Sequence, residues 1–82
     1  MNLRTDNLIK LDLHGIKHEE VKPKVVRFLE KHWGSGVEAE IITGHSTKMK
    51  GIVLNTLDEY KLSYTIGRMF EKNAPRIITW LE

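Results

Sequence analysis

An aspartate and a histidine stand two residues apart at the end of a segment with strand periodicity. In Ile9-Lys10-Leu11-Asp12-Leu13-His14-Gly15 apolar and polar residues alternate, so the two sets of side chains point to opposite faces. Asp12 and His14 share the polar face, next to a glycine that allows a sharp turn. An imidazole beside a carboxylate can serve as a general base, or the pair can belong to a solvated surface. The spacing alone leaves both interpretations open.

A second polar group follows a second predicted strand, Val37 to Thr43. Its loop leads into a helix whose N-cap is predicted at Ser46 or Thr47. Free N–H groups at a helix N terminus bind anions, phosphate above all. If the two strands are parallel neighbours, their carboxyl ends share one edge of a sheet, and the two loops form a phosphate-binding corner. The residues that contribute to it are Asp12, His14, Gly15, Lys17, His18, Thr43, Gly44, His45, Ser46, Lys48 and Lys50.

Composition excludes several other classes of site. There is no cysteine, hence no disulfide framework or thiolate metal site, which fits a reducing cytoplasm. The four histidines form neither HxH nor HExxH, so their spacing does not indicate a histidine metal site, and the missing GxxxxGK[ST] argues against a nucleoside triphosphate. No segment resembles a signal peptide or a membrane span. A net charge of +2 permits an anionic partner without requiring one.

Hydrophobic periodicity predicts six elements in the order βαβαββ. A first helix begins near Lys17 and is stopped by Gly34-Ser35-Gly36, with Pro23 causing a slight bend or a late start, and a second helix runs from Ser46 or Thr47 to about Tyr60. The predicted strands are Leu8 to His14, Val37 to Thr43, Ser63 to Phe70 with a bulge at Gly67, and Arg76 to Leu81.

These elements predict a four-stranded mixed sheet. Intervening helices make the first three strands parallel, whereas the short turn from Lys72 to Pro75 pairs the last two antiparallel. Two helices cover one face of such a sheet, which gives an α/β fold of the α+β type, a two-layer sandwich with both helices on one face. The 82 residues suit a flexible segment 1–7 and a single domain 8–82.

Two motifs resemble those of the Smr (small MutS-related) domain family. Leu11-Asp12-Leu13-His14-Gly15, followed by a helix with acidic residues in its first turn, is similar to the opening motif, and Ile42-Thr43-Gly44 before a helix is similar to the second. The resemblance implies a fold similar to the C-terminal domain of translation initiation factor three. It also implies binding of DNA or RNA, with nicking or endonucleolytic cleavage as in several members.

The second motif departs from the family's HGxGxG pattern. Thr43 stands where a histidine is expected, Ser46 replaces a glycine, and Gly44 matches. His45, one position later, is in a place to substitute for that histidine. Nucleic-acid binding is therefore the main expectation, and enzymatic activity is left open.

The catalytic residues predicted for an active enzyme are Asp12, His14 and His45. His14 is the general base on a water or a ribose hydroxyl, Asp12 orients the imidazole or holds a divalent cation such as magnesium, and His45 protonates the leaving oxygen. Two alternatives stay open: a non-catalytic binding module, and a protein-interaction domain that forms a homodimer through an edge strand. The residues predicted to bind phosphate or nucleic acid are Gly15, Lys17, Thr43, Gly44, Ser46, Lys48 and Lys50.

Overall fold

A computed structural model describes residues 8–67 and 74–81 of the chain. The elements follow in the predicted order: β1 (Leu8–Asp12), α1 (His18–His32), β2 (Val37–Ile42), α2 (Thr47–Glu59), β3 (Tyr64–Ile66) and β4 (Arg76–Leu81). The predicted flexible segment 1–7, the end of the predicted third strand at Phe70 and the first half of the following turn, Lys72 and Asn73, lie outside the described residues. The division into segment 1–7 and domain 8–82 stays a prediction.

The sheet has the strand order β1-β2-β4-β3. β1 and β2 are parallel, with Leu11 opposite Ile41, and β4 runs antiparallel to both of its neighbours, β2 and β3. The mixed sheet and the antiparallel pairing of the last two strands are confirmed. The last strand returns between β2 and β3, which leaves β1 and β3 at the two edges of the sheet.

Side-chain contacts between the helices show that both lie on one face of the sheet. Lys22 of α1 binds Glu59 of α2 with Nζ and Oε1 3.2 Å apart, and the Tyr60 hydroxyl donates to Oε2 of Glu30 at 3.3 Å. Helices on opposite faces of a sheet could not make such contacts, so the predicted two-layer sandwich is confirmed. Trp33, expected in the core or at its edge, touches Tyr60 but is 49% exposed, because it comes directly after the last residue of α1.

The core forms between the helices and the helix-facing side of the sheet. Its helical residues fall at the spacing that periodicity predicted, and those of the strands alternate with residues on the other face of the sheet. No helix of the described residues is long and apolar enough to cross a membrane. The buried members of the core are Leu13, Val21, Val25, Phe28, Leu29, Ala39, Ile41, Met49, Val53, Leu57, Leu62, Ile77 and Leu81.

Several element ends differ from the predicted ones. β1 ends at Asp12 rather than His14, although the N–H of Leu13 still donates to the Ile42 carbonyl at 2.8 Å. β3 ends at Ile66 because the φ of +75° at the next residue, Gly67, leaves the extended region. α1 begins at His18 and continues through the proline inside it, so the late start does not occur.

Candidate functional site

The loops that follow β1 and β2 lie side by side, because these strands are parallel neighbours. The hydrogen bond from Leu13 to Ile42 continues the pairing beyond the end of β1. A Cβ atom placed on Gly44 would lie 3.7 Å from Cδ2 of His14, so the first loop contacts the second. We call residues 12–18 and 43–50, which comprise the two loops and the starts of the two helices, the strand-end corner.

The first loop presents His14 on a tight turn. The N–H of Ile16 donates to the Leu13 carbonyl at 2.9 Å, and Gly15 has a φ of +85°, as the third position of a type II turn requires. Oδ1 of Asp12 accepts the backbone N–H of His14 at 3.0 Å. The carboxylate therefore holds the backbone that carries the imidazole, rather than the ring itself as predicted. Both side chains are exposed.

The second loop is held by hydrogen bonds to Pro75, the residue that precedes β4. The backbone N–H groups of Thr43 and Gly44 both donate to the Pro75 carbonyl, at 2.9 and 3.0 Å. The Thr43 hydroxyl donates to the carbonyls of Gly44 at 2.8 Å and of Pro75 at 3.2 Å. Thr43 is 2% exposed. It shapes the loop from inside, whereas Gly44 and the exposed His45 form the surface.

The helices begin next to each other at this corner. Ser46 is the N-cap of α2, and its Oγ accepts the N–H of Met49 at 3.1 Å. The same Oγ lies 3.5 Å from Nε2 of His18, the first residue of α1. The N–H groups of Thr47 and Lys48 have no acceptor among the described residues, as expected for a first helical turn. The positive ends of two helix dipoles thus meet in one place.

The lysines of the corner do not all face it. Lys17 is exposed at the start of α1, where its side chain makes no capping hydrogen bond. Lys48 and Lys50 flank the buried Met49, and successive helical residues are about 100° apart, so the two lysines leave α2 on opposite sides. Lys48 is exposed and Lys50 is half-buried. The structure therefore does not bring the two lysines to a single ligand.

His18, expected to supply charge beside the corner from the start of the first helix, reaches Ser46. Two further contributors to this region, the Pro75 carbonyl and Arg76, gave no signal in the sequence, because both depend on where β4 lies. Arg76 stands opposite Ile42, which stands opposite Asp12, so these three residues form a row on the face away from the helices.

The donor atoms of the corner do not suit a divalent cation held by the protein. Asp12 is the single carboxylate of residues 12–18 and 43–50, and its Oδ1 already accepts a hydrogen bond. Within the described residues no three His, Asp or Glu side chains come together in a way that could hold a metal ion. Magnesium sites use carboxylates with several waters or substrate phosphates, and one engaged carboxylate is a poor basis for one. No chemical step is therefore derived through a metal.

The family comparison covers most of the chain. The model described as Smr domain matches residues 11–77, which include both loops of the strand-end corner. Comparisons with curated proteins and with solved structures give no match. The expected likeness to the C-terminal domain of translation initiation factor three therefore stays a prediction.

Proposed function

The chain belongs to the Smr domain family, and we propose that it binds DNA or RNA through the strand-end corner. The observation that carries this proposal is the contact between the two loops, with His14 against Gly44, at the start of both helices. A phosphate bound there can accept hydrogen bonds from the backbone N–H groups of Thr47 and Lys48. The absence of cysteine is consistent with work in the cytoplasm.

The charges of the corner favour a phosphate over a neutral ligand. Lys17, Lys48 and the exposed imidazoles can donate to it, and the one carboxylate is engaged with the backbone of the first turn. A helix terminus contributes about 0.3–1 kcal/mol to such an ion at low salt. Two termini and two lysines give a weak affinity that depends strongly on salt, so a nucleic acid needs further contacts elsewhere on the surface.

Fluorescence anisotropy with labelled single- and double-stranded DNA and RNA tests this proposal. The double variant Lys17→Ala/Lys48→Ala should bind more weakly and reduce the slope of log K against log salt by about 1.4 to 1.8, if each lysine contacts one phosphate. The matched control Lys22→Ala/Lys61→Asn removes two charges elsewhere, and asparagine tolerates the φ of 56° at residue 61. No binding by the wild type at low salt, or equal binding by both variants, contradicts the proposal.

A second candidate function is cleavage of the bound strand. His14 lies against Gly44, which His45 follows directly, so both imidazoles belong to one surface. His14 takes the proton of a water or ribose hydroxyl, and the oxygen of that water or hydroxyl attacks phosphorus. His45 gives a proton to the leaving oxygen, whose bond to phosphorus breaks. Asp12 serves as a positioning residue, because it holds the turn that carries His14.

Incubation with RNA and DNA oligonucleotides separates cleavage from binding alone. We expect His14→Ala and His45→Ala to lose cleavage and to keep most of the affinity, while His32→Ala, outside the corner and packed on Phe28, cleaves normally. A strand with a single 2′-deoxy residue that resists cutting at that residue identifies the ribose hydroxyl as the nucleophile. Equal cleavage by all variants refutes the assigned roles, and binding without cleavage leaves the non-catalytic function.

A homodimer through an edge strand stays an alternative for the role of this chain in protein interactions. The edges of the sheet are β1 and β3, and each presents unpaired backbone groups to a second copy. Sedimentation velocity over a range of concentrations tests it. A mass that rises with concentration supports the dimer, and a constant monomer mass contradicts it.

A further inference from the structure

Three cations form a row along the outer surface of α1. Lys24, Arg27 and Lys31 are three and four residues apart, so they lie on one side of the helix. Arg27 and Lys31 are exposed, and Lys24 is half-buried. None of the three has a carboxylate within ion-pair distance in the part of the chain that the structure describes, whereas Lys22 of the same helix pairs with Glu59.

The cations border a groove between α1 and the edge strand β1. Its floor is apolar, formed by the half-buried Leu11 of β1 and by Phe28, which is 9% exposed. Lys24 and Arg27 also line an adjoining depression beside Glu19, Glu20 and Pro23, which leads toward the start of α1. We call the part lined by Leu11, Lys24, Arg27, Phe28 and Lys31 the basic groove. The depression shares Lys24 and Arg27 with it and extends to Glu19, which follows the last residue of the first segment of the strand-end corner.

Folding stability does not explain this row. Like charges at these spacings destabilise a helix by about 0.2–0.5 kcal/mol per pair. Lys31 gains something from its position in the last turn, but Lys24 and Arg27 lie too far from the end of α1 to do so. Cations that have no ion pair with another described residue, placed around a concave apolar floor, instead suit an anionic chain with apolar parts.

We propose that the basic groove is a second contact for the nucleic acid bound at the strand-end corner, and that it takes the backbone of a single strand. This inference rests on the proposed function. From Lys24 to Lys31 the helix rises about 10 Å, enough to reach more than one phosphate. Glu19 and Glu20 lie between the corner and the groove, so the strand makes two separate sets of phosphate contacts.

A single strand suits this path better than a duplex. The corner lies at the ends of the strands, whereas the basic groove runs along the side of α1. Duplex DNA has a persistence length of about 150 base pairs, so a sharp bend from one surface onto the other would cost about 1–6 kcal/mol. A single strand bends freely, and its bases or sugars can contact the apolar floor.

The test compares two triple variants by fluorescence anisotropy over a series of salt concentrations. Lys24→Ala/Arg27→Ala/Lys31→Ala removes the cations of the groove. The control Lys10→Ala/Lys22→Ala/Lys61→Asn removes three positive charges from other surfaces. For a long single strand we expect the groove variant to bind at least about tenfold more weakly, with a salt slope reduced by about 2. A strand of about 4 nucleotides, which covers only the corner, should bind both variants equally.

The outcomes separate this inference from the proposed function. Equal affinity of the two variants for the long strand overturns the inference, and the corner variants then still test the function. A wild type that binds neither strand contradicts the function itself. If the groove variant loses binding to a polyglutamate peptide but keeps its affinity for nucleic acid, the partner of the groove is an acidic protein and the inference is overturned. If the groove variant melts at a lower temperature than the control, the single change Arg27→Gln, at an exposed position, replaces it.

Discussion

Nε2 of His18 lies 3.5 Å from Oγ of Ser46, so the first residue of α1 touches the N-cap of α2. The contact joins the two helices that follow the two parallel strands. It brings their positive ends to the corner where His14 contacts Gly44. Ser46 therefore has two roles that substitution can separate, since it caps a helix and it lines the proposed phosphate site.

Replacement of Ser46 tests these two roles. Ser46→Ala removes the acceptor of the Met49 N–H and should lower the free energy of unfolding by about 1 kcal/mol, as measured by urea denaturation. Ser46→Asp keeps a capping oxygen and should restore that stability, but its negative charge should weaken the binding of nucleic acid. Equal affinity of the aspartate variant and the wild type would place the phosphate away from this helix start.

Gly51 is expected to make α2 less stable than it could be. The sequence allowed that this glycine permits close packing, but a Cβ atom at residue 51 would have no neighbour within 4 Å among the described residues. Gly51→Ala should therefore raise the free energy of unfolding by about 0.5–1 kcal/mol. A decrease in the melting temperature of this variant would show that the position is more crowded than the structure indicates.

The ion pair between Glu40 and Arg76 is expected to contribute more to the free energy of unfolding than an ion pair on the surface does. Oε2 of Glu40 lies 3.1 Å from Nη1 of Arg76, and the glutamate side chain is only 9% exposed. Arg76→Met should cost about 2 kcal/mol, because it leaves a nearly buried carboxylate without this partner. The double variant Glu40→Met/Arg76→Met should recover most of that loss. Chemical denaturation of the wild type, of Arg76→Met and Glu40→Met alone, and of the double variant measures the coupling, and additive losses would argue against it.

Tyr60 should titrate above its ordinary pKa. Loss of water contact, and then the negative charge and hydrogen bond of Glu30, raise the pKa of Tyr60 above 10.0. A pKa that is higher in the folded than in the unfolded state stabilises the fold fully below pH 10, and this stabilisation is lost as the pH rises through the folded pKa. Glu30→Gln should lower the midpoint of phenolate absorbance in a Tyr64→Phe background. An unchanged midpoint would contradict the assigned cause.

The sequence predicted what depends on local pattern. The spacing of Val21, Val25 and Leu29 predicted one helix. Gly15 and Gly44 marked the loops that follow the first two strands. A helix after each strand implied that β1 and β2 are parallel, and this pairing brings the two loops together. The order βαβαββ and the two layers follow from these features.

The rest depends on contacts between distant parts of the chain. The return of β4 between β2 and β3 had no local signal in the sequence. The place of the Pro75 carbonyl, which accepts a hydrogen bond from the buried Thr43, depends on β4 and could not be predicted either. Because Thr43 comes at the end of a strand, it was predicted to be an exposed phosphate contact. Its hydroxyl instead donates hydrogen bonds to carbonyls inside the loop. Lys48 and Lys50 are close in sequence, but helical geometry separates them.

An NMR titration with short oligonucleotides tests the strand-end corner most directly. Successive additions of a single strand to the labelled protein at low salt should shift the amide signals of Gly15, Gly44, Thr47 and Lys48 together. The signals at the far end of α2, such as those of Asp58 and Glu59, should stay in place. Shifts confined to the far end of α2, or no shifts at all, would contradict the account.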